Sequence, residues 1–571
     1  MGPLISAVRV ALRAYIERRP PRVASATTKV ALQWPESVLV FDTETTTDAT
    51  QRLLFGCYRW GHFDPTGRFV CIEEGLFHGE GLTESELATL QAYVTQHTPA
   101  HRARRRKPWV LQSRQQFVNG RFARAIQDGA LIVGYNLPFD LARLAVGVGE
   151  GRQFFSGGFS LTLFERHVEG LRPTPNPFLP RIRIKHVTSK HALMGLTNWK
   201  HAPRGLDGRI DQEKAGRFLD LRSLVFALTG ESRTLEGAAR AYTLPITKLP
   251  VQEHGVITEE YITYARRDVE VTCLLAEATR AEWDRYELSL TADKVASPAS
   301  LAKASLRAMG LVPPMQKFDT VPPAFLGHAL SAYCGGRTEV RVRRTPVPVV
   351  YTDFLSMYPT VNTHLRLWEL LTAEHLELAD VTAEVQQLGL GLHTDWAFDP
   401  ANWPRLRWFA RVRPDGDILP LRAHYTEAAA VPSIGVNPVH GGGEELWVSG
   451  PDLVASWYLT GRWPEVVEAI ALVPHGVQPG LRPITFRGEV DINPITEDFF
   501  KRIIEARKTA EHDPGLVPEE QRRLSQSLKV VANSGSYGIL AELIAKDPQK
   551  PQGDPVTVWG HATSFEEVSR S

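Results

Sequence analysis

Four acidic residues and a tyrosine in the first half of the chain have types and spacing suited to phosphodiester hydrolysis. Asp42 and Glu44 lie two apart in Phe41-Asp-Thr-Glu-Thr45, after an apolar run, so we expect both side chains on one face at a strand end. Asp140 follows a predicted strand-to-helix turn, and Tyr264 and Asp268 are spaced i and i+4 on a predicted helix. Adjacent carboxylates repel unless a divalent metal neutralises them. Four converging carboxylates fit two-metal hydrolysis, with Tyr264 positioning the attacking water.

The three segments that carry these residues form an ordered set of motifs. A D-x-E pair alone is common and is usually an exposed pair of acids, but here FDTET, NLPFD and YARRD follow one another along the chain. In that order they resemble the motifs of DEDD-type proofreading exonucleases with a ribonuclease H-like fold. The resemblance implies that the four acids bind two divalent ions, Mg²⁺ or Mn²⁺, and that Tyr264 orients the nucleophile. It also implies substrate contacts from Asn136 and Phe139.

A second constellation lies downstream of the first. Tyr351-Thr-Asp353 reads as a strand that ends beside Tyr358, and for a lone aspartate an ordinary strand end is the simpler interpretation. Lys529, Asn533 and Tyr537 recur at i, i+4 and i+8 and so share one face of a predicted helix. A lysine there can hold a phosphate, and a tyrosine can pack against a base or sugar. Arg507, one helix earlier, is a second candidate cation for a triphosphate.

This second set resembles family B DNA polymerases. DFLSMYPTV is similar to motif A, KVVANSGSYG is similar to motif B of the fingers, and Tyr333-Cys-Gly-Gly336 matches the YxGG element between the exonuclease and polymerase domains. The resemblance spans residues from about 35 to the end. It implies a metal at Asp353 and Mg²⁺ with a deoxynucleoside triphosphate in a completed polymerase site. The implied substrate-binding residues are Tyr333, Gly335, Gly336, Tyr358, Arg507, Lys529, Asn533, Tyr537 and Gly538.

One element of that family has no counterpart in the sequence. A second palm aspartate, from a DTD-type motif C, is needed to clamp both metals. Asp547 and Asp554 lie in Pro- and Gly-rich sequence, and His393-Thr-Asp395 precedes motif B. We therefore expect motif C and the thumb to be missing, because of a split gene, a premature stop or a shortened chain, and a separate C-terminal polypeptide becomes a candidate partner.

The order of predicted elements indicates a multidomain α/β (α+β) protein. Strand-type runs at 37–41, 53–58, 69–72 and 131–134 alternate with helical sequence after Thr83 and Asp140, and two helices are predicted at 495–511 and 517–533. The expected units are a basic segment (1–34), a ribonuclease H-like exonuclease domain (35–295), a connector (296–345), the first part of the palm with an insertion (346–494), fingers helices (495–545) and a truncated palm segment (546–571).

Composition excludes several classes of protein. The 571 residues are 43% hydrophobic and 23% charged, which argues against a disordered chain. The net charge of +1 neither supports nor excludes a nucleic-acid partner. Four scattered cysteines and the lack of a long apolar run favour a cytoplasmic protein without a membrane span or disulfide framework. Residues 4–19 are predicted to form a short basic amphipathic helix, with a targeting peptide as the alternative. The Arg102–Lys107 charge run is a solvated loop or a nucleic-acid contact.

Three hypotheses follow from these patterns. The first is a family B DNA polymerase, or its N-terminal portion, with a 3′-5′ proofreading exonuclease that acts on primer-template and single-stranded DNA. The second is a stand-alone metal-dependent exonuclease of single-stranded DNA that uses the polymerase-like part as a DNA-binding platform. The third, a non-catalytic subunit, is disfavoured by the intact acids.

Overall fold

The computed structural model describes most of the chain, and its elements combine helices with several separate sheets. The described residues are 9–13, 34–98, 108–152, 155–166, 174–188, 191–197, 217–251, 253–288, 290–295, 297–312, 321–322, 325, 328–329, 332–333, 342–352, 354, 356–423, 433–440, 445–536, 542–544 and 557–561. The expected class, a mixed α and β multidomain fold, is confirmed.

Twenty-three strands are described along the chain. They are β1 (Arg9–Arg13), β2 (Val38–Thr45), β3 (Leu53–Phe63), β4 (Phe69–His78), β5 (Val110–Ser113), β6 (Leu131–Gly134), β7 (Gly147–Glu150), β8 (Phe159–Thr162), β9 (Glu165–Arg166), β10 (Thr174–Pro175), β11 (Arg181–Thr188), β12 (His191–Thr197), β13 (Arg217–Asp220), β14 (His375–Asp380), β15 (Trp408–Arg413), β16 (Asp415–Ala423), β17 (Ser433–His440), β18 (Leu446–Ser449), β19 (Glu465–His475), β20 (Ile484–Phe486), β21 (Val490–Ile492), β22 (Glu542–Ile544) and β23 (Thr557–His561).

Fourteen α-helices are described as well. They are α1 (Glu84–His97), α2 (Arg114–Phe117), α3 (Ala123–Gln127), α4 (Leu137–Leu144), α5 (Leu221–Thr229), α6 (Leu235–Ala241), α7 (Glu259–Asp284), α8 (Pro298–Ala308), α9 (Met357–His364), α10 (Leu367–Thr372), α11 (Thr382–Gly391), α12 (Gly450–Thr460), α13 (Phe499–Ala510) and α14 (Pro518–Ser536). A π-helix spans Val118–Phe122, and 3-10 helices span Ala292–Lys294, Trp396–Phe398 and Pro400–Leu406.

A six-stranded mixed sheet is the centre of the N-terminal half. Its order is β13-β6-β2-β3-β4-β5, in which β2, β3 and β4 form an antiparallel meander and β6 and β13 run parallel to β2. Alternate residues of β2 enter different cores: Val38 and Val40 pack with α5 and α7, whereas Leu39 and Phe41 pack with α4. Both faces of β2 are therefore covered by helices, which accounts for the continuous apolar run at its start.

Two further four-stranded sheets are described. One of them, β12-β11-β8-β7, is antiparallel throughout, and its strands follow α4 along the chain. The other, β14-β19-β15-β18, is also antiparallel and packs with α11 and α12 to form a third hydrophobic core. The remaining pairings are β9 with β10, β16 with β17, β20 with β21, and β1 between β22 and β23.

A buried group of charges connects segments that are far apart in sequence. Arg487, in the turn between β20 and β21, is fully buried and donates to Glu282 of α7 at 2.5 and 2.7 Å. The same guanidinium donates to Glu489 at 2.9 Å and to Glu520 of α14 at 2.6 Å. We call these four residues the Arg487 network. It joins the long helix of the N-terminal half to the C-terminal helix pair.

Most sequence predictions of elements are confirmed, and two are wrong. The predicted strands become β2, β3, β4 and β6, and the two C-terminal helices are present with slightly different bounds. Within the predicted N-terminal helix, Arg9–Arg13 is a strand, because it pairs with both β22 and β23. No strand includes Tyr351, since among the described residues no partner strand bonds 345–352, and Tyr351 is 88% exposed.

Candidate functional site

The end of β2 presents the first two acids of the site. Asp42 and Glu44 continue the series of Val38 and Val40, so they lie on the face of the sheet that α7 covers. Glu44 is buried, and the sheet pairing becomes irregular directly after it, between Glu44 and Thr45. The two carboxylates therefore meet the long helix where the strand ends.

Helix α7 brings three side chains to this strand end. Thr258 caps the helix by accepting from the Tyr261 amide, and Tyr261, Tyr264 and Asp268 are all buried along one face. The Tyr261 hydroxyl donates to Glu44 Oε2 at 2.5 Å. Residues three and four apart in a helix are neighbours on the same face, so Tyr261, Tyr264 and Asp268 form one row. Tyr264 and Asp268 thus reach the acids of β2, as their spacing predicts.

Asp140 approaches the same point from the opposite helix. It lies in the first turn of α4, is 2% exposed, and its Oδ1 accepts from the Thr43 amide at 3.1 Å and from Thr43 Oγ1 at 2.7 Å. Thr43 points to the α4 face because it alternates with its neighbours on β2. The four acids Asp42, Glu44, Asp140 and Asp268, called here the acid cluster, are therefore brought together from a strand and two helices.

The electrostatics of the acid cluster are unfavourable for four ionised carboxylates. Burial, with the charges of the other three acids, raises the pKa of Asp42 well above its usual range. Burial also raises the pKa of Glu44 to about 7 and that of Asp140 to about 8, against the hydrogen bonds from Tyr261 and Thr43. The pKa of Asp268 is raised by burial as well. Carboxylates perturbed in this way are typical of functional sites.

Lys248 is the cation that the structure adds to this cluster. Its Nζ lies 2.5 Å from Asp268 Oδ2 and 4.9 Å from the centre of the Tyr264 ring. Burial disfavours the ammonium, but Asp268 and a hydrogen bond with Tyr264 raise the pKa of Lys248 above its ordinary value. Lys248 is therefore charged at neutral pH and holds Tyr264 beside Asp268.

The donor chemistry of the acid cluster fits a hard divalent cation. Carboxylate oxygens are the ligands that Mg²⁺ and Mn²⁺ prefer. Asp268 Oδ1 is buried and has no hydrogen-bond partner among the residues that the structure describes, which leaves an acceptor that a cation would satisfy. Among the described residues, no three His, Cys, Asp or Glu side chains are close enough together to coordinate one metal ion. The residues that would hold the metals are the four acids.

Two predicted substrate contacts lie beside Asp140. Asn136 caps α4 in a left-handed conformation with φ of 71°, and Phe139 is half-buried in the first turn. The guanidinium of Arg143 lies 4.8 Å from the centre of the Phe139 ring and donates to the carbonyls of Thr50 and Gln51. Arg143 thereby ties α4 to the loop after β2.

The residues of the second constellation are placed only in part. Arg507 of α13 donates to Ser356 Oγ and Ser525 Oγ at 3.4 Å and pairs with Glu511 at 2.9 Å, so its guanidinium is already engaged. Tyr333 is 56% exposed and Tyr358 is 45% exposed. The predicted site residues that fall outside the described part of the chain are Gly335, Gly336, Asp353, Tyr537 and Gly538, together with the Arg102–Lys107 run.

Helix α14 carries two further residues of this set. Lys529 and Asn533 are half-buried on it, one turn apart, and Asn533 Oδ1 is buried without a partner among the described residues. Asn362 Nδ2 of α9 donates to the Ser536 carbonyl at 3.0 Å, which joins α9 to α14. The structure thus packs α9, which begins within the segment DFLSMYPTV, against α14, which carries Lys529 and Asn533.

Sequence reasoning missed three residues of the acid cluster's surroundings. Tyr261 lies one turn before Tyr264, so helical periodicity was a usable signal for it. Thr43 lies between the two predicted metal ligands Asp42 and Glu44, and because side chains alternate along a strand, its side chain is expected on the opposite face of the sheet. Lys248 lies in a loop 20 residues before Asp268 and has no local pattern that identifies it.

Comparison with known proteins finds structural similarity to phi29 DNA polymerase. The polymerase complexed with single-stranded DNA aligns with 12% identity and a TM-score of 0.35, covering 88% of this chain and 67% of that chain. The orthorhombic crystal form has the same identity and coverage with a TM-score of 0.36, and the post-translocation complex with primer-template DNA has a TM-score of 0.35. No protein-family model and no curated protein matches the chain.

Proposed function

We propose that the acid cluster hydrolyses phosphodiester bonds at the 3′ end of single-stranded DNA, as the exonuclease activity of a family B-type DNA polymerase. The observation that carries this proposal is the proximity of Asp42, Glu44, Asp140 and Asp268, whose charges act on one another, with Tyr264 and Lys248 beside Asp268. Buried carboxylates that raise one another's pKa are unfavourable unless a cation compensates them. Such a site suits metal-dependent hydrolysis better than a structural role.

Different residues of the acid cluster and its surroundings would bind the metals, position the carboxylates and donate a proton. The four carboxylates would hold two divalent ions, which supply an activated water and stabilise the leaving oxygen. Thr43 fixes the Asp140 carboxylate through two hydrogen bonds, and Tyr261 fixes that of Glu44. Tyr264, whose pKa burial raises to about 12, keeps its proton and can donate to a water or to a substrate oxygen. Lys248 holds that hydroxyl near Asp268.

Digestion of an end-labelled single strand tests the proposal. With a 5′ label the products should shorten one nucleotide at a time in Mg²⁺ and should not form in EDTA. Asp42→Ala with Glu44→Ala should abolish digestion, because each substitution removes a metal ligand. Arg240→Ala, an exposed position paired with Glu236 on α6, is the matched control and should digest like the unsubstituted chain. Undiminished digestion by the double variant would refute the proposal.

A second candidate activity, templated nucleotidyl transfer, is supported by the packing of α9 against α13 and α14. This packing places Ser356, Arg507 and Asn533 on neighbouring elements, and the unpartnered Asn533 oxygen is a candidate nucleotide contact. A fluorescent deoxynucleoside triphosphate should bind, and Lys529→Met should weaken its binding about tenfold by removing a phosphate contact. Equal affinity in the variant would remove Lys529 from this role.

A further inference from the structure

One side of the sheet β12-β11-β8-β7 carries two neighbouring arginines. Along β11, Ile182 and Ile184 are buried in the hydrophobic core that includes α4, so Arg181 and Arg183, which alternate with them, lie on the opposite side of the sheet. We call this side the arginine face. Residues two apart on a strand are separated by about 6.7 Å, so the two side chains are next to each other.

The arginine face is otherwise lined by small residues. The row that crosses the four strands at this level consists of Gly149, Ser160, Arg183 and Gly195. A Cβ atom added at Gly149 would lie 3.3 Å from Arg181 Nη2. A Cβ atom added at Gly195 would lie 3.2 Å from Cζ of Phe155. The two glycines therefore leave the space in which a guanidinium and an aromatic ring lie flat on the sheet.

The charges of the two arginines are not compensated by acids. Arg181 Nη2 donates to the Ser160 carbonyl at 2.7 Å, and Arg183 Nη2 donates to the Leu196 carbonyl at 3.0 Å. Both Nε–H groups are buried and have no acceptor among the described residues. Within the same described ranges, neither side chain forms an ion pair. Burial lowers the pKa of Arg183, as expected for a cation without an acid beside it.

The surroundings of this pair suit phosphates better than bases. Both arginines are half-buried, and each keeps several N–H donors beyond the one bonded to a carbonyl. Phe155 is 7% exposed, and the Arg183 guanidinium lies 4.5 Å from the centre of its ring. This ring is therefore covered and cannot stack on a base. Two adjacent cations on a flat face fit the phosphates of a duplex, whose bases are already stacked on one another.

We propose that the arginine face binds the sugar-phosphate backbone of double-stranded DNA, with Arg181 and Arg183 each contacting a phosphate. The inference goes beyond the proposed hydrolysis, because the face lies on the side of the sheet away from α4 and contains none of the predicted substrate contacts. Contacts to phosphates alone carry no sequence information, so the binding is independent of sequence and depends strongly on salt.

A salt titration with a closed duplex tests this inference. The probe is a fluorescent DNA duplex with both ends closed by short loops, which offers no 3′ end, and its anisotropy is measured in EDTA. Each phosphate contact contributes about 0.9 to the slope of log affinity against log salt concentration. Arg181→Met with Arg183→Met should therefore reduce that slope by about 1.8 and should lower the affinity at low salt by about tenfold or more. Arg181→Lys with Arg183→Lys keeps both charges and should retain the slope.

A second pair of variants leaves both arginines in place. Thr197 lies directly opposite Arg181 on β12, so Thr197→Glu puts a carboxylate beside the guanidinium. The new ion pair should weaken duplex binding by about tenfold, whereas Thr197→Gln, which has the same shape without the charge, should bind like the unsubstituted chain. Arg240→Met, at the exposed pair with Glu236 on α6, is the control for loss of a surface charge and should also bind normally. If the double methionine variant does not fold, the Thr197 pair decides the matter.

Three results would overturn the inference. They are an unchanged salt slope in the folded double methionine variant, equal duplex affinities of Thr197→Glu and Thr197→Gln, and losses confined to a single-stranded oligothymidylate. The arginine variants should digest single-stranded DNA at the rate of the unsubstituted chain. A chain that binds the closed duplex as expected but does not digest DNA in Mg²⁺ would refute the proposed hydrolysis and leave this inference standing.

Discussion

Two buried groups of charge in this protein differ in how they are compensated. In the acid cluster, Lys248 is the cation that the described part of the chain places beside the carboxylates, and it acts on Asp42, Glu44 and Asp268. The pKa values of all four acids are nevertheless raised, first of all by burial. In the Arg487 network burial opposes both charges, but the hydrogen bond and charge of Arg487, with nearby Arg523 and Arg285, together lower the pKa of Glu282. The hydrogen bond and charge of Glu282, with Tyr286 and Glu489, together raise the pKa of Arg487 against burial. Compensated charges hold segments together, whereas uncompensated charges remain available to a ligand.

Neutralising Asp140 in the acid cluster should have the largest effect: a loss of activity without a loss of stability. Asp140→Asn keeps the Oδ1 acceptor for Thr43 but removes a charge that its neighbours oppose. We expect exonuclease activity to fall by roughly 10³-fold or more. The free energy of unfolding in EDTA should stay the same or increase. Single-turnover digestion and denaturant unfolding measure the two quantities, and a marked loss of stability would assign Asp140 a structural role.

Removing the central cation of the compensated group should have the opposite effect. Arg487→Met leaves Glu282 buried without its partner, and we expect a loss of about 3–5 kcal/mol in the free energy of unfolding. The rate of DNA digestion at low temperature should change little, since Arg487 does not contact the acid cluster. Arg413→Met, which removes exposed pairs with Glu445 and Glu465, is the control and should cost less than about 1 kcal/mol.

A milder change tests the tyrosine beside the acids. Tyr264→Phe removes a hydroxyl but leaves all four carboxylates in place, so we expect the rate of hydrolysis to fall by about 10²-fold. Affinity for single-stranded DNA in EDTA should be unchanged. If affinity fell as much as the rate, Tyr264 would be a stacking residue for DNA.

The pH dependence of stability should also distinguish the two groups. In the acid cluster the folded pKa values exceed the unfolded ones, so between pH about 4 and 8 the folded protein binds more protons than the unfolded chain. In EDTA, stability should therefore decrease as the pH rises through this window, and Asp140→Asn should flatten the decrease. Glu282, whose pKa is lowered, contributes stability that is lost only when the pH falls below the ordinary pKa of a glutamate. Thermal unfolding from pH 4 to 8 checks the first trend, and extending the series below pH 4 checks the second.

The sequence predicted those parts of the site that have local patterns. Strand alternation located Asp42 and Glu44, and helical spacing located Tyr264 and Asp268. Lys248 and Arg487 could not be found in this way, because each acts on residues that only the tertiary fold brings near. The same cause explains the wrong prediction at Arg9–Arg13, where two strands more than 500 residues later decide the conformation.

The Arg487 network also limits how this protein can be divided. A fragment ending near residue 295 would contain the complete acid cluster and α7, but it would lose Arg487 and all of α14. Glu282 would then lack its main counter-charge, and Tyr286, which bonds Ser527 at 2.9 Å and packs against Phe486, would become exposed. A nuclease excised at the boundary that its motifs suggest would therefore need substitutions at Glu282 and Tyr286 before it could be expected to fold independently.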